Sequence, residues 1–417
     1  MTPTLPSARR RVRAYAALAL ASLAIAAAVV ALAQPRLGDY VLGATNPDDA
    51  APAMAALVRG DFARVPAVQP VMGPVSLLVR APFAALGHGV GGLTLEYHLG
   101  AVACMWALAA VALLLAARVR RRSGGLAAPC AVVLALVANP LTIAALDAGH
   151  PEEVLAAALA TAAVLAAAED RATLTGVLLA LAFATKPWAA LAAPPALLAL
   201  KGGHRRALGL AFGLAALLVV PLAAADPHRL LDGSRELART VRVYPTSAWW
   251  PFASPVRASN LTGVSGAHAW AMPWGITRSA GQLLVGAVAL GAGLARLRRR
   301  ALPIDAALAF LAALLLARCL LDPMNLGYYA VPFLAALAAW ETSRRPGLPI
   351  VTATVSVVAW ATLMHPPASP ALACALYLAW SLPLTAYLLT AALGAGRGAP
   401  YAAKRPFRYR AYRYSSS

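Results

Sequence analysis

Long apolar stretches run along this chain, separated by short polar or basic joints. Within them polar positions do not alternate with apolar ones, as barrel strands would require. Ala, Leu and Val continue for roughly the 20 residues that cross a bilayer. In lipid every backbone N–H and C=O needs a partner inside the protein, so runs of this kind predict helices. Twelve are expected, at 14–33, 96–117, 127–146, 152–168, 172–185, 188–200, 207–225, 279–295, 302–320, 328–340, 349–364 and 371–393. The pattern therefore reads as an all-α polytopic membrane protein with about 12 transmembrane helices, within a range of 10–13. Lys186-Pro187 divides two short members, which could meet there as a re-entrant pair, because proline breaks a helix and lysine avoids lipid.

Two long polar segments interrupt the ladder, at 34–95 and 226–277. In the first, residues 50–60 read as a short amphipathic helix. Val71 to Ala85, interrupted by Pro74, Arg80 and Pro82, reads as an interfacial or re-entrant helix. The second carries Trp249, Trp250, Phe252, Trp270 and Trp274, which suit either an aromatic belt at the membrane surface or the lining of a sugar or lipid groove. It also holds the sequon Asn260-Leu261-Thr262, a motif short enough to recur by chance.

Composition sharpens this picture. Hydrophobic residues make up 61% and charged residues only 12%, with a mean hydropathy of +0.68; soluble proteins carry about 25% charged residues. The net charge of +20 suggests nucleic acid at first sight, but its placement argues otherwise. Basic clusters end the apolar runs at Arg9 to Arg13, Arg118 to Arg122, Lys201 to Arg206, Arg296 to Arg300, and Arg344-Arg345, the pattern of cytoplasmic loops. On that reading 24 of the 36 Lys and Arg lie inside, 12 of the 16 Asp and Glu lie outside, and both termini are cytoplasmic. The first apolar run exceeds the core of a secretory signal and reads as an uncleaved helix. Residues 1–396 form one transmembrane domain, and 397–417 a basic cytoplasmic tail whose alternating basic and aromatic residues suit anionic headgroups. Cys104, Cys130, Cys319 and Cys374 lie in apolar segments without metal-ligand spacing and read as buried small residues.

Four constellations on the outer side could carry chemistry. Asp39 and the tandem Asp48-Asp49 precede a short helix, where a carboxylate serves either as a cap or as a general base toward a sugar hydroxyl. The run Asp147-Ala148-Gly149-His150-Pro151-Glu152-Glu153 makes a good helix start. It also gathers four ionisable groups that could hold a divalent ion, a phosphate through His150, or sugar hydroxyls. Arg318 lies at the end of an apolar run before Asp322-Pro323-Met324-Asn325 and Tyr328-Tyr329, either paired with Asp322 or binding an anion. Lys186 snorkels to the interface or holds a lipid phosphate. His88 and His98 stand alone and read as interfacial.

The order of these segments resembles the GT-C superfamily of polyprenyl-phosphate-sugar-dependent glycosyltransferases, closest to glycosyltransferase family 87. It is carried by NPDDAAPAMAALVRG followed by QPVMGPVSLLVRAPF, then DAGHPEEVLAAAL, GVLLALAFATKPWA and RCLLDPMNLGYY, within residues 14–393. The resemblance implies an inverting hexosyltransferase, mannose being the expected sugar, in a bacterial plasma membrane with its active site on the outer face. The donor would be a polyprenyl-phosphate sugar and the acceptor a glycolipid or glycan, with membrane lipids but no nucleic acid as further partners. It implies an Asp base in the first outer loop, which falls on Asp48, Asp49 or Asp39, the tandem pair leaving the choice open. His150, Glu152, Glu153, Lys186, Arg318, Asp322, Asn325 and Tyr328 would bind substrate. No metal site is expected and no cofactor is required, since Lys and Arg can neutralise a phosphate, though a divalent metal is compatible. The alternative is a transporter or flippase of a lipid-linked or small polar substrate, which would place ionisable groups near the bilayer midplane.

Overall fold

The structure is a computed structural model, and it describes residues 8–34, 48–68, 72–88, 90, 92–228, 242–257, 268–272, 277–296 and 301–394. Asp39, Trp274, the Asn260 sequon and the tail 397–417 lie outside the described residues. The helices are α1 (Ala8–Val30), α2 (Ala51–Val58), α3 (Val65–Val68), α4 (Pro74–His88), α5 (Gly92–Ser123), α6 (Ala127–Val137), α7 (Pro140–Asp147), α8 (Pro151–Ala168), α9 (Ala172–Phe183), α10 (Ala193–Ala199), α11 (His204–Ala225), α12 (Thr277–Arg296), α13 (Ile304–Leu321), α14 (Val331–Arg344), α15 (Ile350–Met364) and α16 (Pro370–Gly394). Among the described residues six helical stretches are long and apolar enough to cross a membrane: α5, α6 with α7, α8, α11, α13 and α16. The protein is an all-α polytopic membrane protein.

Each of the twelve expected helices has a counterpart, and the two expected in the first loop are present as α2 and α4. One expected helix is divided, because Pro140 cannot continue the ladder. Asn139 caps the second half there, its Oδ1 accepting the Leu141 N–H at 2.9 Å. The second loop carries regular structure as well. It holds a small antiparallel sheet, β1 (Arg242–Val243), β2 (Ser254–Arg257) and β3 (His268–Ala271), in the order β1-β3-β2. These strands are two to four residues long and one contains Pro255, so no period-two pattern could betray them.

Helix α8 is the axis of the bundle. Buried positions make up 83% of it, against 6% of an 18-residue apolar stretch of α11. Its Ala-rich surface lets α5, α9 and α14 come close, which in lipid replaces the hydrophobic drive as the source of packing energy.

Short connections reverse the chain, so helix ends collect at two poles. At the basic pole Arg118 pairs with Glu169, and Asp170 Oδ1 accepts the N–H groups of Lys201 and Gly202 at 3.1 and 3.2 Å. Arg122 Nη1 also donates there to the Ser343 carbonyl at 3.3 Å. At the other pole Asp147 Oδ1 accepts the Gln34 N–H at 2.7 Å, and the Tyr97 hydroxyl donates to the Leu146 carbonyl. Both long loops dock at this pole. The N–H groups of Gly73 and Val75 donate to Thr185 and Ala184 carbonyls, each at 3.0 Å. Only glycine permits that approach, since a Cβ at residue 73 would stand 1.9 Å from the Ala184 oxygen. From the second loop Tyr244 N–H reaches the Pro323 carbonyl at 2.8 Å, and Trp249 Nε1 the Leu321 carbonyl at 2.7 Å.

Candidate active site

Three junctions at the loop-bearing pole follow one local rule. A residue that precedes proline is pushed out of the α region, so the helix before it must end there. His150 before Pro151 has φ −116° and ψ 55°, Lys186 before Pro187 has φ −144° and ψ 127°, and Asp322 before Pro323 has φ −80° and ψ 123°. Each break places a polar side chain at the pole instead of in the apolar stack. At the first, Gly149 takes φ +79° and closes α7 with a Schellman turn. The His150 N–H donates to the Ala145 carbonyl at 2.8 Å and the Gly149 N–H to that of Leu146 at 3.1 Å. Pro151 then opens α8, with Glu152 and Glu153 in its positive first turn.

The two glutamates are fully buried and form the floor of a cluster. Glu152 Oε1 accepts from His150 Nδ1 and from Lys186 Nζ, both at 2.9 Å. Glu153 Oε1 lies 3.5 Å from Lys186 Nζ and 3.7 Å from Arg318 Nη2, and accepts from Trp188 Nε1 at 3.3 Å. The second oxygen of each carboxylate, Oε2, is buried without a hydrogen-bond partner among the described residues. Above this floor the cations keep an open edge: the Lys186, His150 and Arg318 side chains are 15%, 14% and 11% exposed. Rings hold them in place. Tyr328 stacks on His150 at 4.4 Å, and the Arg318 guanidinium lies 4.7 Å from the Trp188 ring and 4.5 Å from that of Tyr329.

The tandem aspartates separate into two environments. Asp48 is buried and clamped by Arg80, which is itself buried: Nη1 donates to Oδ1 at 3.3 Å, and Nη2 pairs with Oδ2. Its Oδ1 also accepts the Ala50 N–H at 3.0 Å, closing the turn ahead of α2. Gly100 of α5 lies against the Arg80 side chain, where a Cβ would sit in ordinary contact, 3.5 Å from Nε. Asp49 is exposed and has no ion pair among the described residues. Protein packed on its other sides disfavours its charged form and raises its pKa above the ordinary value. Of the charges acting on it, His150 is foremost and opposes that rise, followed by Glu152, Lys186 and Asp48. For His150, burial lowers the pKa, but the Glu152 hydrogen bond and charge outweigh it and the net shift is upward.

The fold thus brings Asp49, His150, Glu152, Glu153, Lys186, Arg318 and Tyr328 to one place. Two other expected substrate ligands make hydrogen bonds within the loops. Asp322 Oδ1 accepts the Met324 N–H at 2.9 Å. Asn325 Nδ2 donates to the Thr246 carbonyl at 2.7 Å and its own carbonyl accepts from Thr246 Oγ1 at 3.3 Å, so it ties down the second loop. Arg318, read as a possible partner of Asp322, reaches Glu153, a residue far off in sequence. His88 is not isolated either: its Nδ1 meets Glu96 Oε2 at 2.9 Å. Arg80 is the site-forming residue that the sequence reading passed over. A cation inside an apolar run was the available signal.

A family model described as glycosyltransferase family 87 matches residues 71–323. The match takes in α4 through α13 and hence the His150, Lys186 and Arg318 junctions, while Asp48 and Asp49 precede it. No curated protein matches the chain.

Proposed function

The chain belongs to glycosyltransferase family 87, a GT-C-type family, and from that premise we propose that it moves a hexose from a polyprenyl-phosphate carrier to a glycolipid or glycan acceptor. The setting in this reading is the outer face of a bacterial plasma membrane, with both termini cytoplasmic and mannose as the expected sugar. Residues 1–396 act as one transmembrane catalytic domain.

The observation that carries the donor half is the row of cations with open edges above the buried glutamates. With His150 protonated, Lys186, Arg318 and His150 exceed Glu152 and Glu153 by one positive charge, which suits the carrier phosphate. Charge-assisted hydrogen bonds there strengthen as negative charge grows on the leaving oxygen, and that difference is what accelerates the reaction. Asp49 acts as the base. Its carboxylate is open, lies within the field of the same cluster and forms no ion pair among the described residues. Asp48 is better suited to holding the turn, because deprotonating a hydroxyl would compete with its clamp to Arg80. In the transfer step Asp49 takes the proton of the acceptor hydroxyl. The hydroxyl oxygen bonds to the anomeric carbon as the bond from that carbon to the phosphate oxygen breaks. The electron pair leaves with the polyprenyl phosphate, and the anomeric centre inverts.

The test is transfer by purified protein in lipid, supplied with a panel of radiolabelled polyprenyl-phosphate sugars and a membrane glycolipid extract. Carrier-dependent product that disappears in Asp49→Asn supports the assignment. Full activity in that variant sinks the choice of base.

A further inference from the structure

The basic pole carries a concentration of charge that the transfer chemistry does not use. Helix α5 ends in Arg120, Arg121 and Arg122, and α14 runs into Arg344 and Arg345. The two ends are joined. Arg122 Nη1 donates to the Ser343 carbonyl at 3.3 Å, so five arginines stand around one seam. Arg120, Arg121, Arg122 and Arg345 are exposed and form no ion pair among the described residues. Carboxylates on the neighbouring elements are committed elsewhere. Glu169 pairs with Arg118 and Arg171, and both oxygens of Glu341 cap α15. The seam therefore holds more positive charge than these neighbours neutralise.

Position indicates what neutralises it. The 3-10 turn Gly327–Ala330 and α14 follow one another over four and fourteen residues, a rise of about 30 Å, which is the thickness of bilayer hydrocarbon. With Tyr328 at the loop-bearing pole, Arg344 stands at the opposite headgroup level. Its guanidinium lies 5.7 Å from the Trp340 ring, and its Nη1 donates to the Tyr387 hydroxyl at 2.7 Å. The two rings pack edge to face, with Tyr387 48% exposed. Amphipathic rings below a cation suit the boundary between hydrocarbon and headgroups. Large apolar side chains are exposed in the adjoining turns: Leu126 after the end of α5, and Leu348 and Ile350 where α15 begins. A free anion gains nothing from them. A phosphate whose glycerol and acyl chains continue into the bilayer meets both the arginines and the apolar rim.

We propose that this seam binds the headgroup of an anionic phospholipid, with the arginines on its phosphate and Leu126, Leu348 and Ile350 beside its apolar part. The proposal does not depend on the glycosyltransferase reading, and its test uses no transfer. Delipidated protein in detergent is given radiolabelled dioctanoyl-phosphatidylglycerol or dioctanoyl-phosphatidylcholine, and equilibrium binding is measured. The expected result is saturable binding of the anionic lipid, at least about tenfold weaker binding of the zwitterionic one, and retention of the anionic lipid in excess inorganic phosphate. Arg121→Gln, Arg122→Gln and Arg345→Gln combined should weaken the anionic lipid at least about tenfold. Arg345→Glu alone, at an exposed side chain without a hydrogen bond among the described residues, should weaken it about fivefold or more. Lys201→Gln, Arg205→Gln and Arg206→Gln combined remove the same charge from the same pole, but around the start of α11, which packs on α9. That variant should bind within about twofold of wild type. Melting temperatures check that all three variants fold. The proposal is overturned if wild-type protein binds neither lipid, if the zwitterionic lipid binds as well, or if both seam variants bind like wild type. It is equally overturned if the α11 variant is weakened as much as the seam variants, which would mean a diffuse field only, or if inorganic phosphate displaces the lipid, which would mean a site for free anions.

Discussion

Glu341 near the end of α14 and the pair Glu152–Glu153 at the start of α8 are all buried carboxylates in apolar helices, at opposite poles of the bundle. Glu341 has both oxygens occupied. Oε1 accepts the Val351 N–H, and Oε2 accepts the Thr352 N–H and hydroxyl, each at 2.8 Å, so it caps the first turn of α15. Among the described residues the α8 pair leaves one oxygen of each carboxylate without a partner, and the three cations beside it keep an open edge. The tandem aspartates repeat the contrast within two residues, Asp48 clamped and Asp49 open. Burial and charge are alike across the three glutamates. What differs is whether hydrogen bonding within the protein is complete, and that separates structural groups from groups held ready for a ligand.

The largest test of this contrast uses Asp49 and Asp48. Asp49→Asn should lower the transfer rate by about 10²–10⁴, the usual contribution of a general base, with the melting temperature unchanged. Asp48→Asn should act mainly on the fold. It leaves a buried guanidinium without its counter-charge, at a cost of about 3–5 kcal/mol in denaturant unfolding, and adding Arg80→Met to it should recover part of that loss. If Asp48→Asn proves stable and Asp49→Asn unfolded, the contrast is reversed.

Smaller effects sharpen it. Glu341→Ala should cost about 1–3 kcal/mol by orphaning the N–H groups at the start of α15, while transfer per folded molecule stays at the wild-type rate. The pH profile should be a bell. Asp49 must be ionised, and its raised pKa moves the acid limb above the ordinary carboxylate value. His150 must be protonated, and its raised pKa moves the alkaline limb above 6.5. Protonated His150 also contributes stability, fully present below the unfolded value of about 6.5 and lost as pH rises through its folded pKa. Glu152→Gln removes the charge and weakens the hydrogen bond that raise it, so the alkaline limb should shift to lower pH; an unmoved limb would detach His150 from it.

The apolar runs determined the helices, because lipid leaves an unpaired backbone no alternative. The dipeptides His150-Pro151, Lys186-Pro187 and Asp322-Pro323 likewise marked where helices must stop, since the clash that proline imposes on its predecessor is a property of two adjacent residues. From these signals most of the candidate cluster was legible. Partnership was not. That Arg318 answers Glu153, that Asn325 holds Thr246, and that Glu96 holds His88 depends on which helix ends share a pole, a matter of packing between residues far apart in the chain. The choice between Asp48 and Asp49 belongs to the same class. Two identical side chains in tandem look equivalent in the sequence. Only the packing of α4 against α5, which buries Arg80 beside Asp48, decides which one is clamped and which one is left open.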